Sequence, residues 1–325
     1  MDDAPVQGFP PRHGAICVPQ WSVNRQEGRV AKLEPPHIAG LVAQIAAAMP
    51  LRATGFIVTL YGDAVVPRGG EVWMGTIIEA CALVGISETL VRTAVSRLVT
   101  AGQLEGQRQG RRSFYRLTDS ARAEFDEAAR VIYGPPDPAG WRFVYLPEDG
   151  AEARITQLER QGYARLRPQV AVGPARGPAP SDALVFEAGA GGAVALLPDF
   201  AAQHWDLTPH AQAYTDLLTR FAPVQRHVPN LTGSQALALR LLLVHAWRSA
   251  LLRDPRLPLD ALPQDWPGHR ARTLFAELYQ ALSPEAESHI STGFEGVLGV
   301  LTGASADMEK RLDGLHRWAD PEAVP

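Results

Sequence analysis

The sequence contains very few cysteines and lysines. Its 325 residues include only Cys17 and Cys81, a pair too small for a disulfide framework or a cysteine-ligated metal cluster. Lysine occurs only twice, so nearly all positive charge is arginine, and the abundance of arginine alone says nothing about function. The most apolar stretch, Ala236 to Trp247, is interrupted by Arg240 and His245. We therefore expect no membrane span, and the acidic, proline-containing N-terminus predicts a cytoplasmic protein without a signal peptide.

Motifs of the common enzyme classes are absent as well. The histidines are scattered, no Gly-x-Ser-x-Gly elbow occurs, and no glycine-rich phosphate loop follows a predicted strand. Two features keep an enzyme acting on a nucleic acid or a coenzyme A thioester open as the alternative: the acids Glu148 and Asp149 after a predicted strand, and His245 on an apolar helix. A solvated turn and a buried histidine are the simpler interpretations, so we expect no catalytic residue, metal or cofactor.

Segments rich in proline and glycine divide the chain into three predicted domains and two tails. The clearest linker is GPPDPAG at 134–140. The N-terminal segment lacks a sustained period and predicts disorder, whereas ordered contacts and disorder both remain open for the C-terminal tail. The predicted parts are a disordered extension (1–36), a DNA-binding domain (37–135), a small α/β domain (136–203), a helical domain (204–292) and a tail (293–325).

Local patterns predict the elements inside these domains. Helical spacing indicates a short buried helix over 53–61, a turn-rich segment over 62–70 and a helix that includes Trp73. The run AVALL at 193–197 predicts a strand. Ser283 followed by proline predicts a helix start, because serine caps well and proline suits the first turn. The helix around Ala236–Trp247 is apolar nearly all round, which predicts burial in a core or against a second subunit.

A predicted helix after Ser87 separates completely into an apolar and a polar half. On a helical wheel the apolar half consists of Leu90, Val91, Ala94, Val95, Leu98 and Val99. The polar half consists of Arg92, Thr93, Ser96, Arg97 and Thr100. Between positions 90 and 100 this polar half has no carboxylate. Side chains of these types donate to phosphates and to guanine edges, so the helix suits the major groove of DNA.

Two extended runs around Gly110 predict a β-hairpin with an arginine-rich tip. Its arginines are Arg108, Arg111, Arg112 and Arg116. From Ile86 to Leu117 the chain has six arginines and two glutamates, a local charge of +4 in a chain of formal charge -4. Two helices, a cationic helix and this hairpin follow the order of a winged helix-turn-helix. The alternative is an ordinary solvated surface in an arginine-rich chain.

The roles of the cationic residues follow from this order. We expect Arg92, Thr93, Ser96 and Arg97 to meet base edges, with Thr100 on the same face. Arg108, Arg111 and Arg112 would hold phosphates, with Arg116 beside them. The predicted partner is therefore double-stranded DNA.

Two sequence blocks are distinctive. The first runs from IVTLYGD through PRGG and GISETLVRTAVSRL to GRRSFYRLT, and the second is DPRLPLDALPQDWPG with HAWR shortly before it. Both blocks resemble the PaaX-like family of phenylacetic acid degradation repressors. Together they extend from about residue 45 to about residue 290. The resemblance implies an α+β multidomain chain with a winged helix-turn-helix, a central ferredoxin-like α/β domain and a helical C-terminal domain involved in dimerisation.

The same resemblance implies a homodimeric repressor of aromatic catabolic genes. Its effector would be an aryl-acyl coenzyme A such as phenylacetyl-CoA, which releases the operator. No motif marks the effector site. Arginines would be needed for the coenzyme A phosphates and an apolar slot for the ring, and the candidate effector contacts are Arg142, His245, Trp247 and Arg248.

Overall fold

The structure is a computed structural model that describes residues 38–135, 140–301 and 305–319. The predicted extension over 1–36 and the middle of the linker, 136–139, lie outside the described residues. The fold mixes helices with small antiparallel sheets, so the α+β class is confirmed. Across the described ranges, no helix is both long and apolar enough to cross a membrane.

The N-terminal part of the described chain combines five helices with a three-stranded sheet. Strand order is β1-β3-β2, and both neighbouring pairs are antiparallel. The elements are α1 (Ile38–Ala47), α2 (Ala53–Leu60), β1 (Glu71–Trp73), α3 (Met74–Ala82), α4 (Glu88–Thr100), β2 (Leu104–Gln109), β3 (Arg112–Leu117) and α5 (Asp119–Tyr133).

Two local predictions in this part were wrong. The predicted turn over 62–70 is mostly helical: Tyr61–Val65 extend α2 as a π-helix, Val66–Arg68 follow as a 3-10 helix, and the chain bends at Gly69 and Gly70, whose φ angles are 97° and 80°. These positive angles favour glycine. The helix predicted to include Trp73 begins one residue later, because Glu71–Trp73 pair with β3 as a strand.

A four-stranded antiparallel sheet with one covering helix forms the middle of the chain. Strand order is β5-β6-β4-β7. Helix α6 packs on one face through Ile155 and Leu158, against Val144 and Ala171. The elements are β4 (Trp141–Tyr145), α6 (Ala151–Arg160), β5 (Ala164–Arg167), β6 (Val170–Pro174) and β7 (Leu184–Ala188).

Helices dominate the rest of the chain. They are α7 (Leu197–His204), α8 (Thr208–Phe221), α9 (Gly233–Leu251), α10 (Pro267–Gly293) and, after the short hairpin β8 (Glu295–Gly296) and β9 (Gly299–Val300), α11 (Ala306–Ala319). Burial of α9 is confirmed, since every side chain from Ala236 to Val244 is buried. A capping box between Thr232 and Gln235 fixes its start.

Two helix boundaries differ from the sequence prediction. AVALL is not a strand: Val194–Leu196 form a 3-10 turn that runs into α7, where Pro198 occupies the first turn of the helix. Ser283 and Pro284 lie inside α10 rather than at its start. The hydroxyl of Ser283 donates to the carbonyl of Tyr279 at 2.6 Å, and the helix continues because it is buried on both sides of Pro284.

One continuous core joins the N-terminal helices to the C-terminal ones. Buried residues of α1, α2 and α5 belong to the same apolar cluster as those of α9 and α10, and helix α9 packs directly against α1, α2 and α5. The middle sheet has a second, smaller core. The N-terminal part is therefore held by the C-terminal helices and not by its own apolar side chains alone.

A buried charge cluster lies where these helices meet, and it consists of Asp63, Arg68, Arg240, Glu287 and Arg311. Arg240 donates to Asp63 at 3.0 Å and to Glu287 at 2.6 Å, and Arg68 also pairs with Glu287. Arg311, from the segment predicted as a tail, donates to the carbonyl of Asp63 at 3.2 Å. Burial alone would raise the pKa of Asp63, but the charges of Arg240 and Arg311 outweigh it and hold that pKa below its usual value.

Candidate nucleic-acid interface

Helix α4 turns the predicted polar face to solvent. Val91, Ala94, Val95 and Leu98 are buried against the core. All five predicted polar residues, Arg92, Thr93, Ser96, Arg97 and Thr100, are exposed. Leu90 and Val99 are exposed as well, at 57% and 39%, so the wheel placed them wrongly in the buried half. The main contacts of this helix are with α2, α3 and β2, and they bury a stripe narrower than half of its surface.

Several side chains of the α4 face already have local partners. Arg92 pairs with Glu88 at 2.7 Å, one helical turn earlier. The hydroxyls of Thr93 and Thr100 donate to carbonyls four residues back. Within the described residues, Arg97 has no hydrogen bond or ion pair, which leaves its guanidinium open to a ligand. Glu88 was missed because the wheel began at residue 90, although its i,i+4 spacing from Arg92 signals the pair.

The predicted hairpin is formed by β2 and β3, with Gly110 at φ 61° in the turn. Its four arginines, Arg108, Arg111, Arg112 and Arg116, are all exposed. Arg116 pairs with Glu105 across the strands at 2.7 Å, and Arg108 donates to the carbonyl of Gly110 at 3.3 Å. In the part of the chain that the structure describes, Arg111 has no such partner.

Arg112 is the arginine of the hairpin that contacts a distant segment. Its guanidinium lies 4.5 Å from the centre of the Trp73 ring and pairs with Glu295, on β8. No spacing signal in the sequence relates two residues so far apart, so Glu295 was not predicted. Three of the six arginines between Ile86 and Leu117 thus form ion pairs with carboxylates. The unpaired positive charge is concentrated at Arg97 and the hairpin tip.

The four candidate effector contacts do not share one site. Trp247 is buried, stacks on Phe275 with ring centres 5.1 Å apart, and donates to the carbonyl of Ile132. His245 is hydrogen-bonded to the hydroxyl of Thr59 at 2.8 Å. Arg248 donates to Thr59 and borders an apolar cavity of about 290 Å³ between α2, α5 and α9. Arg142 lies in the middle sheet and pairs with Glu187.

A larger cleft lies between α5, the middle sheet and the loop after α9. Its volume is about 700 Å³, and its lining includes two carboxylates, Glu127 and Asp254. Five arginines line it: Arg130, Arg160, Arg176, Arg253 and Arg256. Arg142 shapes one wall by donating to the carbonyls of Arg176 and Gly177. Arg256 has a φ of 51°, a strained value for a residue with a side chain.

We expect the free energy of unfolding to fall as the pH drops from about 6.5 to 4. Burial and, secondarily, the Arg248 charge lower the pKa of His245 to about 4. The unfolded chain binds a proton at this histidine near pH 6.5, whereas the folded chain does so only near pH 4, so stability is lost between these values. Allowing for incomplete burial, the loss is about 2 kcal/mol.

Urea unfolding at pH 7 and pH 4.5 measures this loss. It should shrink in His245→Asn and persist in His210→Asn, which changes a histidine on α8. An unchanged pH dependence in His245→Asn would assign the acid sensitivity to other groups.

The geometry defines an α+β chain with an exposed cationic helix and an adjoining arginine hairpin. Two models of the PaaX-like family match it: PaaX-like protein over residues 52–121, and the PaaX-like protein C-terminal domain over residues 205–292. The chain is 32% identical over 293 residues to the transcriptional repressor PaaX of Escherichia coli (strain K12), covering 83% of this chain and 92% of that relative. The chain belongs to the PaaX-like family.

A solved structure is also similar. The uncharacterized protein Rv0674 from Mycobacterium tuberculosis matches with a TM-score of 0.42 and 23% identity, covering 66% of this chain and 89% of that one.

Proposed function

We propose that this protein is a DNA-binding transcriptional repressor that uses a winged helix-turn-helix and is not an enzyme. In this assignment α3 and α4 are the two helices of the motif, and the β2–β3 hairpin is the wing. The observation that carries the proposal is the exposed polar face of α4, with Arg97 open beside a hairpin tip that presents Arg111. Side chains of this kind contact base edges from the helix and phosphates from the wing.

For the middle domain we propose a ferredoxin-like class. The order β5-β6-β4-β7 with antiparallel neighbours is the strand order of a split βαβ unit with a fourth strand added. The connection between β6 and β7 departs from that class, because residues 175–183 are described and contain no helix. A Pro/Gly-rich loop, GPARGPAPSD, replaces the helix.

The same domain offers support for a homodimer. On the sheet face opposite α6, Tyr145, Leu184 and Phe186 are 44%, 55% and 57% exposed. Neighbouring apolar side chains exposed on a sheet are typical of protein contact surfaces. We propose that a second copy covers them and that the two wings read two half-sites of a partly symmetric operator.

The regulated genes and the effector are proposed from the family. The Escherichia coli relative is a transcriptional repressor, and we propose that this chain likewise represses phenylacetate catabolic genes until an aryl-acyl coenzyme A, such as phenylacetyl-CoA, binds. The cleft of about 700 Å³ supports this assignment, since five arginines against two carboxylates favour a ligand with several phosphates.

Fluorescence anisotropy tests the function directly. DNA from the protein's own promoter should bind tightly at low salt and more weakly at high salt, because bound arginines release counterions. Phenylacetyl-CoA should release the DNA, whereas free coenzyme A and phenylacetate should not. A differential affinity of about 3 kcal/mol is enough to weaken operator binding more than a hundredfold.

The outcomes separate the two halves of the proposal. Absence of DNA binding would contradict the repressor and favour the enzyme alternative. Binding that ignores phenylacetyl-CoA would retain the DNA-binding function and reject this effector. If Arg253→Ala binds DNA normally and is still released by the same phenylacetyl-CoA concentration, the cleft is not the phosphate site.

A further inference from the structure

A C-terminal arm, defined as residues 293–301, packs against the sheet that carries the hairpin arginines. Phe294 and Leu301 anchor it, because both are buried in the core. The backbone N–H of Glu295 donates to the hydroxyl of Thr76 on α3 at 3.2 Å. A Cβ at Gly296 would lie 3.2 Å from the carbonyl oxygen of Glu71, so the arm lies directly beside β1. Backbone and core contacts therefore fix the position of Glu295 independently of its carboxylate.

The carboxylate of Glu295 meets the guanidinium of Arg112 in the open. The side chains of Glu295 and Arg112 are 36% and 51% exposed, and the Arg112 guanidinium also lies over the Trp73 ring. A carboxylate and a phosphate accept the same hydrogen bonds from a guanidinium. Glu295 therefore occupies the guanidinium of Arg112, which would otherwise be available to bind a phosphate of DNA.

The other two pairs of the interface are different in kind. Glu88 and Arg92 lie on one helix, and Glu105 and Arg116 lie on one hairpin, so both pairs move as part of their own element. Arg112 and Glu295 are 183 residues apart, and the arm follows directly from α10. This pair therefore connects the C-terminal part of the chain to the wing.

On the basis of the proposed function, we propose that Glu295 is an internal competitor for DNA at Arg112. The arm holds an anion on the wing in the free protein. Binding of DNA exchanges that anion for a phosphate at Arg112. The arm therefore lowers the affinity of the repressor for DNA, compared with a wing whose Arg112 is unpaired.

Glu295→Gln tests the proposal because it removes the charge and keeps the backbone bond to Thr76. Affinity for promoter DNA at low salt should rise about threefold, the size expected for loss of an exposed ion pair. The slope of log affinity against log salt should become steeper by about one. Glu152→Gln, which removes an equal charge from an exposed pair with Arg165 on the middle sheet, should leave both quantities unchanged.

A second background shows whether Glu295 acts through Arg112. In Arg112→Gln, the added Glu295→Gln change should have almost no further effect on affinity. A persistent threefold gain there would overturn the proposal, as would a Glu295→Gln variant with wild-type affinity and salt slope and an unchanged Tm. Wild-type protein that binds no duplex DNA would instead overturn the proposed function, so the two failures are distinguishable.

Discussion

Replacing Asp63 by asparagine is expected to lower the free energy of unfolding by about 4 kcal/mol. The carboxylate is fully buried and accepts hydrogen bonds from Tyr279 at 2.8 Å, Tyr133 at 3.1 Å and Arg240 at 3.0 Å. Asparagine has nearly the same size, so the change removes the charge without creating a large cavity. Arg311 would then lose its carboxylate partner, and Arg240 would keep only Glu287, which it shares with Arg68. An uncompensated buried cation is costly.

Urea unfolding of the variant and the wild type at pH 7 measures the loss. Asp126→Asn, on the exposed side of α5, is the matched control and should change stability by less than about 0.5 kcal/mol. A loss below about 1 kcal/mol in Asp63→Asn would show that the cluster rearranges around its arginines and is not a fixed unit.

The second large effect concerns DNA. Combining Arg97→Ala with Arg111→Ala is expected to weaken promoter binding by about 3 kcal/mol, more than a hundredfold. Both guanidiniums lack partners in the described structure, so neither variant breaks an internal contact. The single variants should differ in character. Arg97→Ala should reduce the preference for promoter over unrelated DNA, whereas Arg111→Ala should weaken both alike and reduce the salt slope by about one.

Anisotropy with promoter and scrambled duplexes at two salt concentrations separates these roles. Arg270→Ala, an exposed arginine on α10, controls for the loss of one positive charge. Equal losses of specific and non-specific affinity in both single variants would show that the assignment of base and phosphate contacts is wrong.

The exposed faces of α4 and of the hairpin were largely predictable because their signals are local. The period of α4 fixed which side chains face solvent, and Gly110 fixed the register that places Glu105 opposite Arg116. Leu90 and Val99 were misplaced because a wheel assumes half a helix is covered, and here the neighbouring helices cover less. Local signals thus predict an element and its faces, but not how much of a face is covered.

The rest of the chain depends on contacts that no short pattern encodes. AVALL has strand composition but leads into a helix, and Ser283-Pro284 has a start signal inside a 27-residue helix whose packing overrides it. For the tail over 293–325, the sequence alone is compatible with both ordered contacts and disorder. Its described residues make contacts, since Arg311 bonds to Asp63 and Glu295 pairs with Arg112. Both partners are far away in sequence, so only the folded chain brings them together.

The separation between Asp63 and Arg311 also has a consequence for synthesis on the ribosome. The hydrogen-bond partners of Asp63 follow it in the sequence by 70 residues (Tyr133), 177 residues (Arg240), 216 residues (Tyr279) and 248 residues (Arg311). At a typical synthesis rate of about 5–20 residues per second, roughly 10 to 50 seconds pass between the synthesis of Asp63 and that of Arg311. Before Arg240 is made the carboxylate lacks its ion-pair partner from α9, and burying it unpaired would be costly, so we expect it to stay hydrated until then. We therefore expect the N-terminal helices to close around Asp63 only after α9 has left the ribosome, long after their own synthesis.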